Sequence, residues 1–383
     1  MAGIYVHIPF CSSRCVYCNF YSTVGVKHLQ SRYVEALEKE LKMRSKYIKK
    51  ERVRTLYIGG GTPSTLSHDL LRRLIESITS TFLIQTSDIE EFTIECNPDD
   101  ITEEFVGMIK ETGVNRVSLG VQSFIDERLR FLRRRHNAQQ VRDAVRLLRK
   151  HGMRNISIDL IFGFPNESTE EWMEDLNKAL ELDVEHISAY SLTYEEGTPL
   201  HRMLLEGKIA EIDENTYEEM YTALIDTLTE AGFEHYEISN FARPGFRSQH
   251  NSSYWNDSIY LGLGAAAHSY DRESRQWNVS DIEQYITEIE KGNIPAERET
   301  IDAVTHYNDT ITTALRKREG IDIADVQEPY KSYLLKSAQK GIENGNLSMD
   351  DGRLHLTRAG LYISDAVMSD LIFIAQKKVA LVM

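Results

Sequence analysis

From Ile4 to residue 231 the chain repeats one unit six times: a short run of β-branched and other apolar residues, then a longer stretch with apolar residues at helical spacing. The first strand opens at Ile4, and the others are expected at 53–58, 92–96, 116–121, 156–162 and 186–192, with helices at 31–47, 70–82, 102–112, 138–151, 169–182 and 215–231. Strands alternating with helices of this length require a parallel sheet covered by helices. Six units are fewer than the eight that close a full barrel. The expected fold class is therefore α/β, an open partial (β/α)6 barrel, with a doubly wound sheet as the alternative.

The unusual residues fall where such strands end. After the first strand come Cys11, Cys15 and Cys18, spaced C-x3-C-x2-C. Gly59-Gly60-Gly61-Thr62-Pro63 follows the second strand, Glu95 and Asn97-Pro98 close the third, and Gln122 closes the fourth. Asp159 lies within the fifth, and Ser191 to Thr193 end the sixth. Ligands of parallel α/β folds bind at that rim, so these groups are expected to converge on one cavity. Three thiols within eight residues can ligate a soft metal or an iron–sulfur cluster without long-range loop closure. A cubane takes one cysteine per iron, so three cysteines leave one iron open.

Each signal has a plainer reading. A zinc site completed by His7 or His28 would also use the three cysteines, although zinc loops more often pair two C-x2-C arms. The three glycines make a tight turn, or let backbone N–H groups approach a ligand. Glu95 and Asp159 are either paired acids or partners for a cation or a hydroxyl-rich group such as a ribose. Arg130, Arg133, Arg134 and Arg135 read as a solvated charge run, of which one facing inward would hold a carboxylate. Cys96 adjoins Glu95 on a strand, so the two point to opposite faces, and Cys96 is expected to face the helices.

Composition excludes several classes of protein. A net charge of −15 over 383 residues argues against nucleic-acid binding. No apolar run reaches bilayer length, and no basic leader precedes the first strand, so a cytoplasmic protein is expected. Four cysteines, three of them clustered, suit a reducing compartment. Three regions are expected: a core over 1–236, a connecting region over 237–302 and a small C-terminal domain over 303–383. In the last, two helices precede alternating runs joined by Asp351-Gly352, a hairpin signal that gives a winged-helix-like α+β domain. With this acidity, packing or protein contact is the expected role.

The C-x3-C-x2-C loop after Tyr5-Val6-His7-Ile8-Pro9-Phe10 resembles the cluster loop of the radical S-adenosylmethionine (radical SAM) superfamily. Together with Gly120-Val121-Gln122-Ser123-Phe124 and Asp159-Leu160-Ile161-Phe162-Gly163-Phe164-Pro165, it resembles the oxygen-independent coproporphyrinogen III oxidase family over nearly the whole chain. The resemblance implies a [4Fe–4S] cluster on Cys11, Cys15 and Cys18, and SAM contacts from Tyr5, Gly60, Gly61, Thr62, Glu95, Gln122, Arg134 and Asp159. Where the oxidases carry a further cysteine and a long N-terminal extension, this chain has Phe20 and only four residues before Tyr5. Both departures, with His250-Asn251-Ser252-Ser253-Tyr254-Trp255, resemble the haem-chaperone branch of the family. That resemblance implies haem as ligand, haem-accepting proteins as partners and His250 as axial ligand, with His268 its rival. Any membrane contact would be peripheral and made through those partners. The same departures point away from oxidative decarboxylation of coproporphyrinogen III, which is the alternative function.

Overall fold

Each strand of the sheet has one apolar and one polar face, and that division sets the architecture. The computed structural model describes residues 2–48 and 51–374. Its first six strands are β1 (Ala2–Ile8), β2 (Val53–Gly60), β3 (Glu91–Cys96), β4 (Arg116–Gln122), β5 (Ile156–Phe162) and β6 (His186–Ser191). Side chains alternate across a strand. One set, including Val6, Ile58, Ile94, Leu119, Ile158 and Ile187, is fully buried and apolar. This face meets the helices, as where Trp172 of helix Thr169–Glu181 stacks on Phe162 at 5.2 Å between ring centroids. The other set reads Tyr5, His7, Thr55, Tyr57, Thr93, Glu95, Arg116, Ser118, Ser157, Asp159, His186 and Ser188, and lines the interior of the barrel.

β1 to β6 pair in parallel in chain order, as the open partial barrel requires. The sheet also extends on both sides of them. Antiparallel to β6 runs β8 (Asn240–Ala242), preceded in the chain by β7 (Glu234–Glu237). On the other side, β9 (Ile259–Leu263) pairs with β1 in parallel and β10 (His268–Tyr270) and β11 (Ser274–Asn278) follow it, so much of the stretch expected as a connecting region is sheet. β12 (Ala296–Thr300) ends the order. The described residues form two compact units, one running to His235 and including Ser239–Ser253 and Ser258–Glu299, the other made of Tyr236–Ile238, Tyr254–Asp257 and the chain from Thr300.

The second unit is winged-helix-like. Helices Ala303–Ala314 and Tyr330–Glu343 pack Tyr307, Ile311 and Leu334 against Leu347 and Leu354 of a three-stranded sheet. Its strands are β13 (Ile321–Asp322), β14 (Leu347–Asp350) and β15 (Arg353–Leu356). Asp351 and Gly352 both have positive φ, at 49° and 77°, the backbone that a two-residue hairpin needs to follow the twist of its strands. Residues 375–383 of the expected domain lie outside the described residues. Among the described residues no helix is long and apolar enough to cross a membrane.

A buried carboxylate ties β9 and its neighbours to the barrel. Glu40, on helix Gln30–Met43, is fully buried and accepts from Tyr285 Oη at 2.6 Å, Asn278 Nδ2 at 2.8 Å, the Gly264 N–H at 2.8 Å and Arg44 Nη1 at 3.2 Å. Four donors satisfy the charge, and removing it leaves Arg44 buried without its counter-charge. Glu40→Ala should lower the unfolding free energy by about 3–5 kcal/mol. Urea denaturation of the two proteins checks this; a change within about 1 kcal/mol would show that the network is not structural.

Candidate functional site

The cysteine loop is held at two points. At its neck, Cys11 N–H donates to Thr23 O at 2.9 Å and Thr23 N–H to Pro9 O at 2.6 Å. On its far side Val16 N–H donates to Leu132 O at 3.3 Å and Leu200 N–H to Val16 O at 3.0 Å. The Val16 side chain is buried against Leu132, Ile161 and Phe164. Val16 is thus the anchor of the loop, and Cys11, Cys15 and Cys18 remain half-buried free thiols on the wall of a cavity of about 560 Å³. Burial raises the pKa of Cys11 and of Cys18. Thr62 Oγ1 lies 3.5 Å from Cys11 Sγ, and Arg134 Nη1 donates to Cys15 Sγ at 3.6 Å.

Gly60, Gly61, Thr62, Glu95, Gln122, Arg134 and Asp159 line that cavity with the cysteines. Within the arginine run Arg134 faces inward, donating from Nη2 to Gly120 O at 2.6 Å and Asn97 Oδ1 at 2.5 Å, whereas Arg135 pairs with Asp99 and Asp100. Gly120 leaves room for it: a Cβ there would stand 3.0 Å from Arg134 Nη2. Gln122 has a φ of 71° beside a register shift in β4, a strained conformation at the mouth of the site. Tyr5 is not among the cavity-lining residues; its hydroxyl meets His7 Nδ1 at 3.0 Å. His7 Nε2 meets Tyr21 O at 2.9 Å, so both ring nitrogens of the histidine considered for zinc are engaged.

The glycine triplet also serves a protein group. The Gly60 N–H donates to Glu95 Oε2 at 2.9 Å, while Tyr57 Oη donates to Glu95 Oε1 at 2.6 Å. The triplet thus positions a protein carboxylate. Gly60 has a φ of 110°, and a Cβ there would meet the His7 ring at 2.5 Å. Burial pushes Glu95 up to about 7, against those two hydrogen bonds. It pushes Asp159 up to about 6, against hydrogen bonds from Ser188 and Ser118.

His250 lies at the opposite end of the barrel from the cysteines. Helix Gln249–Ser253 is capped by the Glu91 carboxylate, which accepts from Gln249 N–H at 2.8 Å and His250 N–H at 2.9 Å. The His250 ring is 1% exposed, its Nδ1 meets Thr55 Oγ1 at 2.8 Å, and it stacks on Tyr57 at 5.1 Å. Burial lowers its pKa to about 3. His250 is therefore packed into the floor, and its neighbour Asn251 lines the cavity. Tyr254 and Trp255 fall in the second unit, where the Arg316 guanidinium sits 5.0 Å over the Trp255 ring. His268 is exposed on β10 and stacks on Trp277.

Tyr57, Ser118 and Arg116 are among the cavity residues that the sequence did not single out. Each has the parity of a recognised neighbour on its own strand, Tyr57 with Gly59, and Arg116 and Ser118 with Gln122. Counting by twos from the rim is the signal that finds them.

A cysteine loop on the rim of an open parallel barrel, facing a polar interior, defines a radical SAM-type site. Residues 5–179 match the Radical SAM superfamily, and residues 301–363 match the HemN C-terminal domain. Coproporphyrinogen III oxidase (HemN) from Escherichia coli shares the fold, with a TM-score of 0.85 over 97% of this chain and 90% of that one at 22% identity. Heme chaperone HemW of Lactococcus lactis is 34% identical over 95% of both chains, and that of Bacillus subtilis is 34% identical over 96% of this chain and 98% of its own. A mitochondrial radical S-adenosyl methionine domain-containing protein 1 of Danio rerio is 31% identical over 96% of this chain and 86% of its own. The chain belongs to the HemW family.

The two buried acids give the site a pH signature. Both folded values, about 7 and about 6, lie above the ordinary 4.5 and 3.8, so the folded state binds more protons between them and stability falls as pH rises through that window. Urea midpoints should fall from pH 4.5 to 7 in the parent and vary less in a Glu95→Gln, Asp159→Asn double variant. Equal slopes in the two proteins would place both acids in water.

Proposed function

We propose that this chain is a haem chaperone that also carries a [4Fe–4S] cluster and SAM, and that it passes haem to acceptor proteins in the cytoplasm. The observation that carries the reading is similarity along nearly the whole length of relatives curated as haem chaperones. Cys11, Cys15 and Cys18 would hold the cluster. Among the described residues no three acidic, histidine or cysteine side chains converge as a single-ion cage. A cubane suits the loop, because it spreads three thiolates over three irons. When bound, such a cluster with SAM supplies one-electron, radical-forming chemistry.

The chain's own groups prepare that site. The Arg134 guanidinium donates to Cys15 Sγ, while the buried Cys11 and Cys18 thiols must release protons when they ligate. Gln122, Asp159 and Glu95 offer acceptors and donors on one wall, suited to the hydroxyls and amino group of SAM. Phe20 and Tyr190, 66% and 43% exposed on the cavity lining, present apolar surface for a macrocycle. Axial ligation by His250 requires helix Gln249–Ser253 to leave its seat, breaking the Thr55 contact and the Glu91 cap. The oxidase alternative has the shared fold in its favour, but Phe20 stands where the oxidases carry their further cysteine.

After anaerobic reconstitution Cys15→Ser should lose most of its iron and Cys96→Ser should keep it; equal loss would overturn the ligand assignment. Asp159→Ala should weaken SAM binding at unchanged iron content, and unaltered affinity would remove Asp159 from that site. In haem titrations of the parent a Soret band should saturate at one haem per chain, with no decarboxylation of coproporphyrinogen III by the same sample given SAM and a reductant. Catalytic turnover would replace the chaperone by the oxidase. His250→Ala should shift that Soret band and His268→Ala should not; the reverse pattern would move the ligand to β10.

A further inference from the structure

Arg116 opens β4 at the inner end of the barrel, 1% exposed and lining the cavity. Its Nε, Nη1 and Nη2 are all buried and have no hydrogen-bond partner among the described residues. The acids within reach of its charge are committed elsewhere: Glu95 to Tyr57 Oη and the Gly60 N–H, Asp159 to Ser188 and Ser118. Beside it in register, Thr93 keeps a buried Oγ1 that also lacks a partner. A buried guanidinium without an ion pair or hydrogen bonds is costly, and its flat fork of N–H donors matches a carboxylate in two-point fashion.

We propose that Arg116 is the seat for a carboxylate of the ligand that fills the inner end of the barrel. The place separates it from the rim. Gln122 lies six residues further along the same strand, roughly 20 Å away at about 3.3 Å per residue. A ligand must therefore reach down past Glu95 and Asp159 to engage it, with Asn251 on the same cavity wall. Haem carries such a group in its propionates, whereas the amino-acid end of SAM would meet the cluster's open iron at the rim. The assignment to haem rests on the chaperone reading.

Haem, haem dimethyl ester and SAM are each titrated against the reconstituted parent, Arg116→Met and Arg116→Lys, with urea unfolding of all three proteins. Arg116→Met should unfold at or above the parent's midpoint, because an unpaired buried charge has been replaced by an apolar chain of similar length. It should lose at least about tenfold in affinity for the carboxylate ligand, with Arg116→Lys between the two. Loss for haem, with the ester and SAM bound equally by parent and variant, assigns a propionate. The proposal is overturned if Arg116→Met is less stable than the parent, if it binds haem as the parent does, or if haem and its ester lose equally. Should the parent bind no haem, the chaperone reading fails and the propionate seat with it; should the parent bind haem and Arg116→Met bind it equally, the seat alone fails.

Discussion

The constraint on which the structure depends is the enclosure of a polar strand face. An ordinary parallel sheet is apolar on both sides, because helices cover both. Here the interior of β1 to β6 carries acids, histidines, serines and an arginine, and burial makes each of them costly unless it is bonded. Much of the local detail answers that demand. Glu95 takes Tyr57 and the Gly60 N–H, Ser157 meets His186 Nδ1 at 2.8 Å, Thr55 takes His250, and Glu91 caps the helix that carries His250. Arg116, whose three guanidinium nitrogens lack a partner among the described residues, points to a ligand for the same reason.

The six strand–helix units were legible because their apolar periodicities are local, and the rim residues because glycines and cysteines interrupt those patterns where strands end. Arg134 could be narrowed to a run of four, but only the fold shows which arginine turns inward, since that depends on the space left by Gly120 on another element. The glycine triplet was visible but its task was not: the Gly60 N–H serves a carboxylate 35 positions further along the chain. Arg116 entered the sequence reading only as the first residue of a strand. Its parity with Ser118 and Gln122 places it inside, and that inference needs the barrel before it can be drawn.

The seat of His250 was not legible in the sequence. Glu91, 159 positions earlier, accepts its backbone N–H and holds it in the floor. No local pattern encodes a contact of that range. The parallel pairing of β9 with β1 is non-local in the same way, and it turns a stretch that looked like a connector into part of the sheet. Both features close the barrel around its polar interior.

A chaperone differs from an enzyme of the same fold in what happens to its ligand, which must leave unchanged. The most direct measurement mixes the reconstituted, haem-loaded protein with an apo-haemoprotein under anaerobic conditions and follows both absorbance spectra together with the porphyrin content. Transfer predicts that the acceptor gains the haem that the donor loses, mole for mole, with the macrocycle intact. Haem that stays on the donor, or porphyrin side chains that emerge decarboxylated, would contradict it.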